Sequence, residues 1–133
     1  MRRSTVAALV DYLARYDRVV EVGIGRRTAV AEALADAGVD VNATDIHPRD
    51  VPDNVRFVTD DIVSRARRET STLYDVDAIY ALNLPPELHR PARDVAVATG
   101  ADFLFTTLGG DAPTIPVERV TLDEETLFVA TLD

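Results

Sequence analysis

Apolar positions along the chain fall into two alternating rhythms, one near the helical period and one of short, dense runs. Val6, Leu9, Val10 and Leu13 recur at i, i+3, i+4 and i+7, which predicts a first helix, capped by Ser4 or Thr5, with one face on a sheet. Residues 18–23 then read as a strand, and residues 26–37, rich in Ala, Leu and Val, as a helix that stops at Gly38. A second strand follows at 40–44. Pro48 and Pro52 mark a loop before a third strand at 55–59, a short basic helix at 62–69 and a fourth strand at 78–82. Asn83-Leu84-Pro85-Pro86-Glu87 makes a rigid turn. Pro91 predicts a break, with one helical turn at 87–90 and a fresh helix from 91 to 99, ended by Gly100. Residues 103–107 supply a fifth strand. A loop through Gly109, Gly110, Asp111, Pro113 and Pro116 leads to alternating runs at 117–122 and 126–132 around Asp123-Glu124-Glu125, which predict an antiparallel hairpin. Parallel strands need crossovers and bury both faces, so the pattern specifies an α/β fold: a doubly wound, three-layer sheet of five parallel strands plus a C-terminal hairpin.

Composition narrows the picture. A chain of 133 residues is expected to form one domain over residues 1–133, without a second catalytic domain. It has no cysteine, which removes disulfides and thiolate metal sites, and its two histidines, His47 and His89, have no matched spacing that suggests a metal. No apolar run reaches the roughly 20 residues of a membrane span, and Met1-Arg2-Arg3-Ser4 leads into an amphipathic helix; the expectation is a soluble, cytoplasmic protein. Against 23 acids stand 14 basic residues, all arginine, for a net charge of −9. Acid-rich, lysine-free composition points to a halophile's cytosol, where concentrated salt screens self-repulsion. The charge weighs against nucleic-acid partners, which draw on clustered cations. The small arginine clusters (Arg26 with Arg27, Arg65 with Arg67 and Arg68, Arg90 with Arg93) read as solvated helix faces.

The candidate chemistry lies where the first strand meets the second helix. Val19-Val20-Glu21-Val22-Gly23-Ile24-Gly25-Arg26-Arg27-Thr28 is an apolar strand that runs into paired glycines and opens a helix. Glycine lets backbone N–H groups at a helix N-terminus approach a ligand closely. Asp45 stands 20 residues beyond Gly25 at the end of the second strand, where a carboxylate can accept both ribose hydroxyls and disfavours a 2′-phosphate. An ordinary strand-to-helix turn is the plainer alternative.

Glu21-x-Gly23-x-Gly25, Asp45, Asp60-Asp61 after the third strand and Asn83-x-Pro85-Pro86 after the fourth resemble the serial motifs of class I S-adenosylmethionine-dependent methyltransferases, over about three-quarters of the chain. Size and motif order are also similar to a family of small uncharacterised archaeal proteins with this Rossmann-like fold. The resemblance implies S-adenosylmethionine as cofactor, with Gly23 and Gly25 under its methionine and ribose portion and Glu21 as the cofactor-binding acid that such loops commonly carry. It further implies Asp45 on the ribose hydroxyls, Asp60 or Asp61 on the adenine amino group, and Asn83 facing the reactive methyl. For Asp60 and Asp61 a helix N-cap before Ile62 is the structural alternative. The chain departs from the family where Arg27 or Thr28 replaces a third glycine, and where Leu84 and Glu87 flank the prolines.

Asn83, Glu87 and His89 are the catalytic candidates, with His47 a further imidazole near Asp45; Glu87 is equally placed to favour a helix dipole. Methyl transfer asks little of acid–base groups, so the lack of a catalytic pair is no obstacle. Size is the argument against an enzyme, because little chain remains after the fifth strand to build an acceptor pocket; a homodimer paired through the terminal hairpin would supply one. The alternatives are a regulatory domain binding NAD or another nucleoside, similar to those that gate potassium transport, and a Rossmann remnant without ligand.

Overall fold

The computed structural model describes residues 1–68 and 71–132. In chain order the elements are α1 (Arg3–Leu13), β1 (Arg18–Val22), α2 (Ala29–Asp36), β2 (Asp40–Asp45), β3 (Arg56–Thr59), α3 (Ile62–Ala66), a 3₁₀ turn (Thr72–Tyr74), β4 (Ala78–Ala81), a second 3₁₀ turn (Pro86–Leu88), α4 (His89–Thr99), β5 (Asp102–Phe105), β6 (Val117–Leu122) and β7 (Glu125–Ala130). The strands form one sheet in the order β3-β2-β1-β4-β5-β7-β6. Strands β3 to β5 in that order are parallel neighbours; β7 pairs antiparallel with both β5 and β6. The α/β class and the five-plus-hairpin sheet therefore stand as the sequence predicts, and the hairpin continues the same sheet with β6 at its edge.

Alternation along each buried strand divides the core in two. Val19, Tyr80 and Leu104 point to the face covered by Leu9 and Leu13 of α1 and Val30, Ala31 and Leu34 of α2. Their neighbours Val20, Ile79 and Phe103 point to the face covered by Ile62 of α3 and Ala92, Val95 and Ala96 of α4. Both faces are apolar because helices lie on each, the expected state of a parallel sheet.

Three local expectations need correction. Ser4 and Thr5 do not cap α1: the N-cap is Arg2, without a side-chain bond, and both hydroxyls donate instead to Asp123 in the β6–β7 turn, at 2.8 and 2.9 Å. Both residues lie inside the first turn of α1, which begins at Arg3, so neither stands at the cap. Helix α2 begins at Ala29, not 26, because residues 23–28 form the loop that the glycines serve. Helix α4 begins at His89, so Pro91 lies inside its first turn, where the missing N–H would have had no helical partner. Other boundaries shift by up to three residues, the ordinary imprecision of an element's end. Helix α3 ends at Ala66, and Glu69 at the end of the predicted helix lies outside the described residues.

Candidate functional site

β1 pairs with β2 on one side and β4 on the other, so chain order reverses between β1 and β4; ligands of doubly wound sheets bind beyond the strand ends at such a switch point. A cavity of about 690 Å³ lies there, lined by Glu21, the loop from Gly23 to Thr28, the first turn of α2, Leu82 and Asn83, with Met1 and Val6 of the α1 region as its roof. The loop has a fixed shape. The N–H groups of Gly23 and Ile24 both donate to the Thr44 carbonyl, at 2.9 and 3.0 Å, and the Gly25 N–H donates to Asp45 Oδ2 at 2.8 Å. Gly23 and Gly25 hold φ of +70° and +58°, left-handed values that strain any residue with a side chain.

Glu21 is buried at 1% exposure, and its Oε1 accepts the Tyr80 hydroxyl at 2.7 Å. Burial pushes its carboxyl up to about 8, against a smaller downward pull from the Tyr80 bond. Opposite it, Asn83 holds φ of +53°, pinned by its N–H donating to Thr106 Oγ1 at 2.8 Å while the Leu84 N–H donates to the Thr106 carbonyl at 2.9 Å. A non-glycine residue in that region is uncommon and costs of order 1 kcal/mol; two bonds to Thr106 hold it there.

Asp45 closes the loop from behind. Its Oδ2 accepts from Gly25 and its Oδ1 from the His47 N–H at 3.0 Å, while Arg49 Nε lies 3.4 Å from Oδ1. Burial raises its carboxyl, but the two N–H bonds and the guanidinium outweigh that and hold it below the usual range. His47 itself is exposed beyond it.

Of the residues singled out from sequence, the cavity brings together Glu21, Gly23, Gly25 and Asn83, with Asp45 bonded directly behind Gly25. It does not bring Asp60 or Asp61. Asp60 accepts from Arg65 Nε and Nη2 at 3.2 and 2.9 Å and from the Tyr74 hydroxyl at 2.6 Å, so a ligand there would compete with three bonds. Asp61 caps α3, its Oδ1 accepting the Val63 N–H at 2.9 Å. Glu87 is exposed on the second 3₁₀ turn and does not line this cavity. His89 is fully buried: Nδ1 accepts the Thr114 N–H at 3.2 Å, so Nε2 carries the proton donated to the Leu84 carbonyl at 3.0 Å, and the ring packs on Phe105. Both nitrogens thereby tie α4 to neighbouring loops. Arg26 and Arg27, read from sequence as a solvated helix face with one of them open to the carboxylate of S-adenosylmethionine, wall the cavity; sequence reasoning missed Ile46, 61% exposed immediately after Asp45. The signal for Ile46 was available, since an apolar residue just past a strand-ending acid has no core to enter.

The sequence profile described as "Uncharacterised protein family (UPF0146)" matches residues 4–132. A UPF0146 protein of Halobacterium salinarum is 52% identical over 128 residues, spanning 95% of this chain and 94% of that protein. Among solved structures, an RNA methyltransferase from Salinibacter ruber in complex with S-adenosyl-L-homocysteine superposes with a TM-score of 0.67 at 18% identity, over 99% of this chain and 92% of that one. A TehB-like SAM-dependent methyltransferase from Corynebacterium glutamicum gives a TM-score of 0.57 at 16% identity, over 96% and 86%. At such identities the likeness is one of fold, and it is the methyltransferase-like Rossmann fold.

Proposed function

The chain belongs to the uncharacterised protein family UPF0146, and we propose that it binds S-adenosylmethionine at the carboxyl ends of β1, β2 and β4 and transfers the methyl group to an acceptor. One observation carries the reading: the cavity sits at the switch point, is walled by the glycine loop, and has an acid on one side and Asn83 on the other. Two of the fold neighbours, both methyltransferases, support it.

The residues present fit such a ligand. A Cβ built at Gly23 or Gly25 would meet no atom within 4 Å, so the space above the loop is open to a molecule lying against the backbone. Arg26, which lines this cavity alone, offers its guanidinium to the ligand's carboxylate. The Glu21 carboxyl faces the same space and suits its amino group. Asp45 already accepts two N–H bonds, and its remaining lone pairs are available to ribose hydroxyls. Ile46 presents an apolar side chain beside Asp45 on which an adenine ring can lie. When bound, the sulfonium supplies an activated methyl. The protein's part is in-line placement, worth several kcal/mol without acid–base help, and Asn83, its backbone held by Thr106, offers a side-chain amide at the mouth that can orient the acceptor.

Calorimetric titration in concentrated salt with S-adenosylmethionine, S-adenosylhomocysteine and NAD in parallel tests the reading. Micromolar binding of the first two without NAD supports it; binding of NAD alone replaces it with a regulatory nucleotide domain, and silence from all three leaves a fold without that ligand.

A further inference from the structure

A second cavity of about 410 Å³ opens beside the first and shares Met1, Arg27 and Asn83 with it. Its remaining walls are Arg2 and Thr5 from α1 and the residue before it, Thr107, Leu108 and Gly109 after β5, and Glu124 and Glu125 at the β6–β7 turn. The charges there do not all cancel within the protein. Arg2 is paired with Glu124. Among the described residues Arg27 has no ion-pair partner, and half-buried Glu125 has no cation; its Oε1 accepts only the neighbouring Thr126 N–H, at 3.2 Å. One guanidinium and one carboxylate are thus left facing a shared space. Among the described residues the lining of the second cavity has no aromatic ring, and its apolar side chains are those of Met1 and Leu108.

We propose that this second cavity is the acceptor site and that it takes a small amphoteric molecule of the amino-acid type, its acidic group against Arg27 and its amino group against Glu125. The assignment rests on the S-adenosylmethionine reading only for the word acceptor; the binding itself rests on the paired opposite charges. A ligand with one group of each sign neutralises what Arg2 and Glu124 leave over, and an uncharged or singly charged ligand does not. Asn83, common to both cavities, marks the boundary that a transferred group would cross.

The test is a thermal-shift screen of the proteinogenic amino acids, one at a time, against nucleosides at equal concentration, in concentrated salt and both with and without S-adenosylhomocysteine. At least one amino acid is expected to raise the unfolding temperature by about 2 °C or more. Arg27→Gln and Glu125→Gln are each expected to weaken its Kd at least tenfold, or about 1.4 kcal/mol. Both side chains lie outside the core, so either variant suffices if the other fails to fold. A response to nucleosides alone, no response to any amino acid, or binding undiminished in both variants overturns the proposal. Separate titration with S-adenosylhomocysteine reads the first cavity: if it fails while an amino acid still binds, the cofactor reading falls and the amphoteric site stands.

Discussion

Replacing Glu21 by Gln should stabilise the protein at neutral pH and flatten its pH dependence. The carboxyl is at 1% exposure, accepts one hydrogen bond, from Tyr80, and is pushed up to about 8 from an ordinary value of 4.5. Between those values the native protein holds a proton that the unfolded chain has released, so stability falls as pH rises through the window. Below it both states are protonated, and above it both are ionised and the full penalty is present. Each pH unit in the window costs the native state about 1.4 kcal/mol. By pH 7 that amounts to roughly 3 kcal/mol. Gln keeps an oxygen for the Tyr80 hydroxyl and has no charge to desolvate, although its NH₂ group needs water from the cavity, which trims the gain to about 2 kcal/mol. At about 3–5 °C per kcal/mol for a chain of this size, the variant's unfolding temperature at pH 7 should be higher by roughly 6–10 °C, with the difference falling to zero at about pH 5 and reversing at pH 4, where only the Gln NH₂ cost remains. Circular-dichroism melts from pH 4 to 9 measure it. Parallel curves for the two proteins would refute the argument. On the proposed reading, this destabilising carboxyl is kept because it faces the ligand.

Two substitutions probe the loop. Asp45→Ala removes the acceptor for the Gly25 and His47 N–H groups and should lower stability by about 1–3 kcal/mol, read by denaturant titration, while weakening S-adenosylhomocysteine binding at least tenfold by calorimetry. Unchanged affinity in the folded variant would remove Asp45 from the site. Gly25→Val forces a β-branched residue to φ of +58° and fills the cradle; it should cost about 1–2 kcal/mol in stability and abolish measurable binding, and a variant that bound normally would sink the loop's role.

The fold was legible because its signals are local and repeated. Val19, Val20 and Val22 give a run buried on both faces, Gly38 and Gly100 stop helices, and Pro85-Pro86 fixes the turn after β4. Glu21, Gly23, Gly25, Asp45 and Asn83 were legible as a group because each lies in the last two residues of a parallel strand or just past it, and strand ends in such a sheet converge. What sequence could not give was competition between partners. Asp60 and Asp61 look equivalent on paper, yet Arg65 and Tyr74 take the first and the α3 N-terminus takes the second. His89 reads as a surface imidazole after a turn, but Thr114, 25 residues on, brings an N–H to its ring. The lysine-free acidity pointed to high salt, and the Halobacterium relative is in keeping with it.

Scarcity of chain after β5 argued from sequence against an acceptor pocket, and on the proposed reading the start of α1 makes up for that scarcity. Residues 106–116 carry no helix, and the wall that such a helix would form is supplied by the start of α1, tied to the hairpin turn. Ser4 and Thr5 both donate to Asp123, and Arg2 pairs with Glu124. The two hydroxyls hold the Asp123 carboxyl below its usual range, so the tie is complete above that range and is lost as pH falls through the depressed value. Asp123 has φ of +58°, which Gly adopts freely, so Asp123→Gly removes the carboxylate without straining the turn. Hydrogen exchange should then speed up at least tenfold at the α1 amides near Val6 and Leu9, with the β1 and β4 amides unchanged, and affinity for any ligand of the second cavity should fall. Equal exchange at α1 in the two proteins would mean that core contacts of Leu9 and Leu13 alone seat the helix, and that the hairpin turn is a neighbour of the cavity and not its clasp.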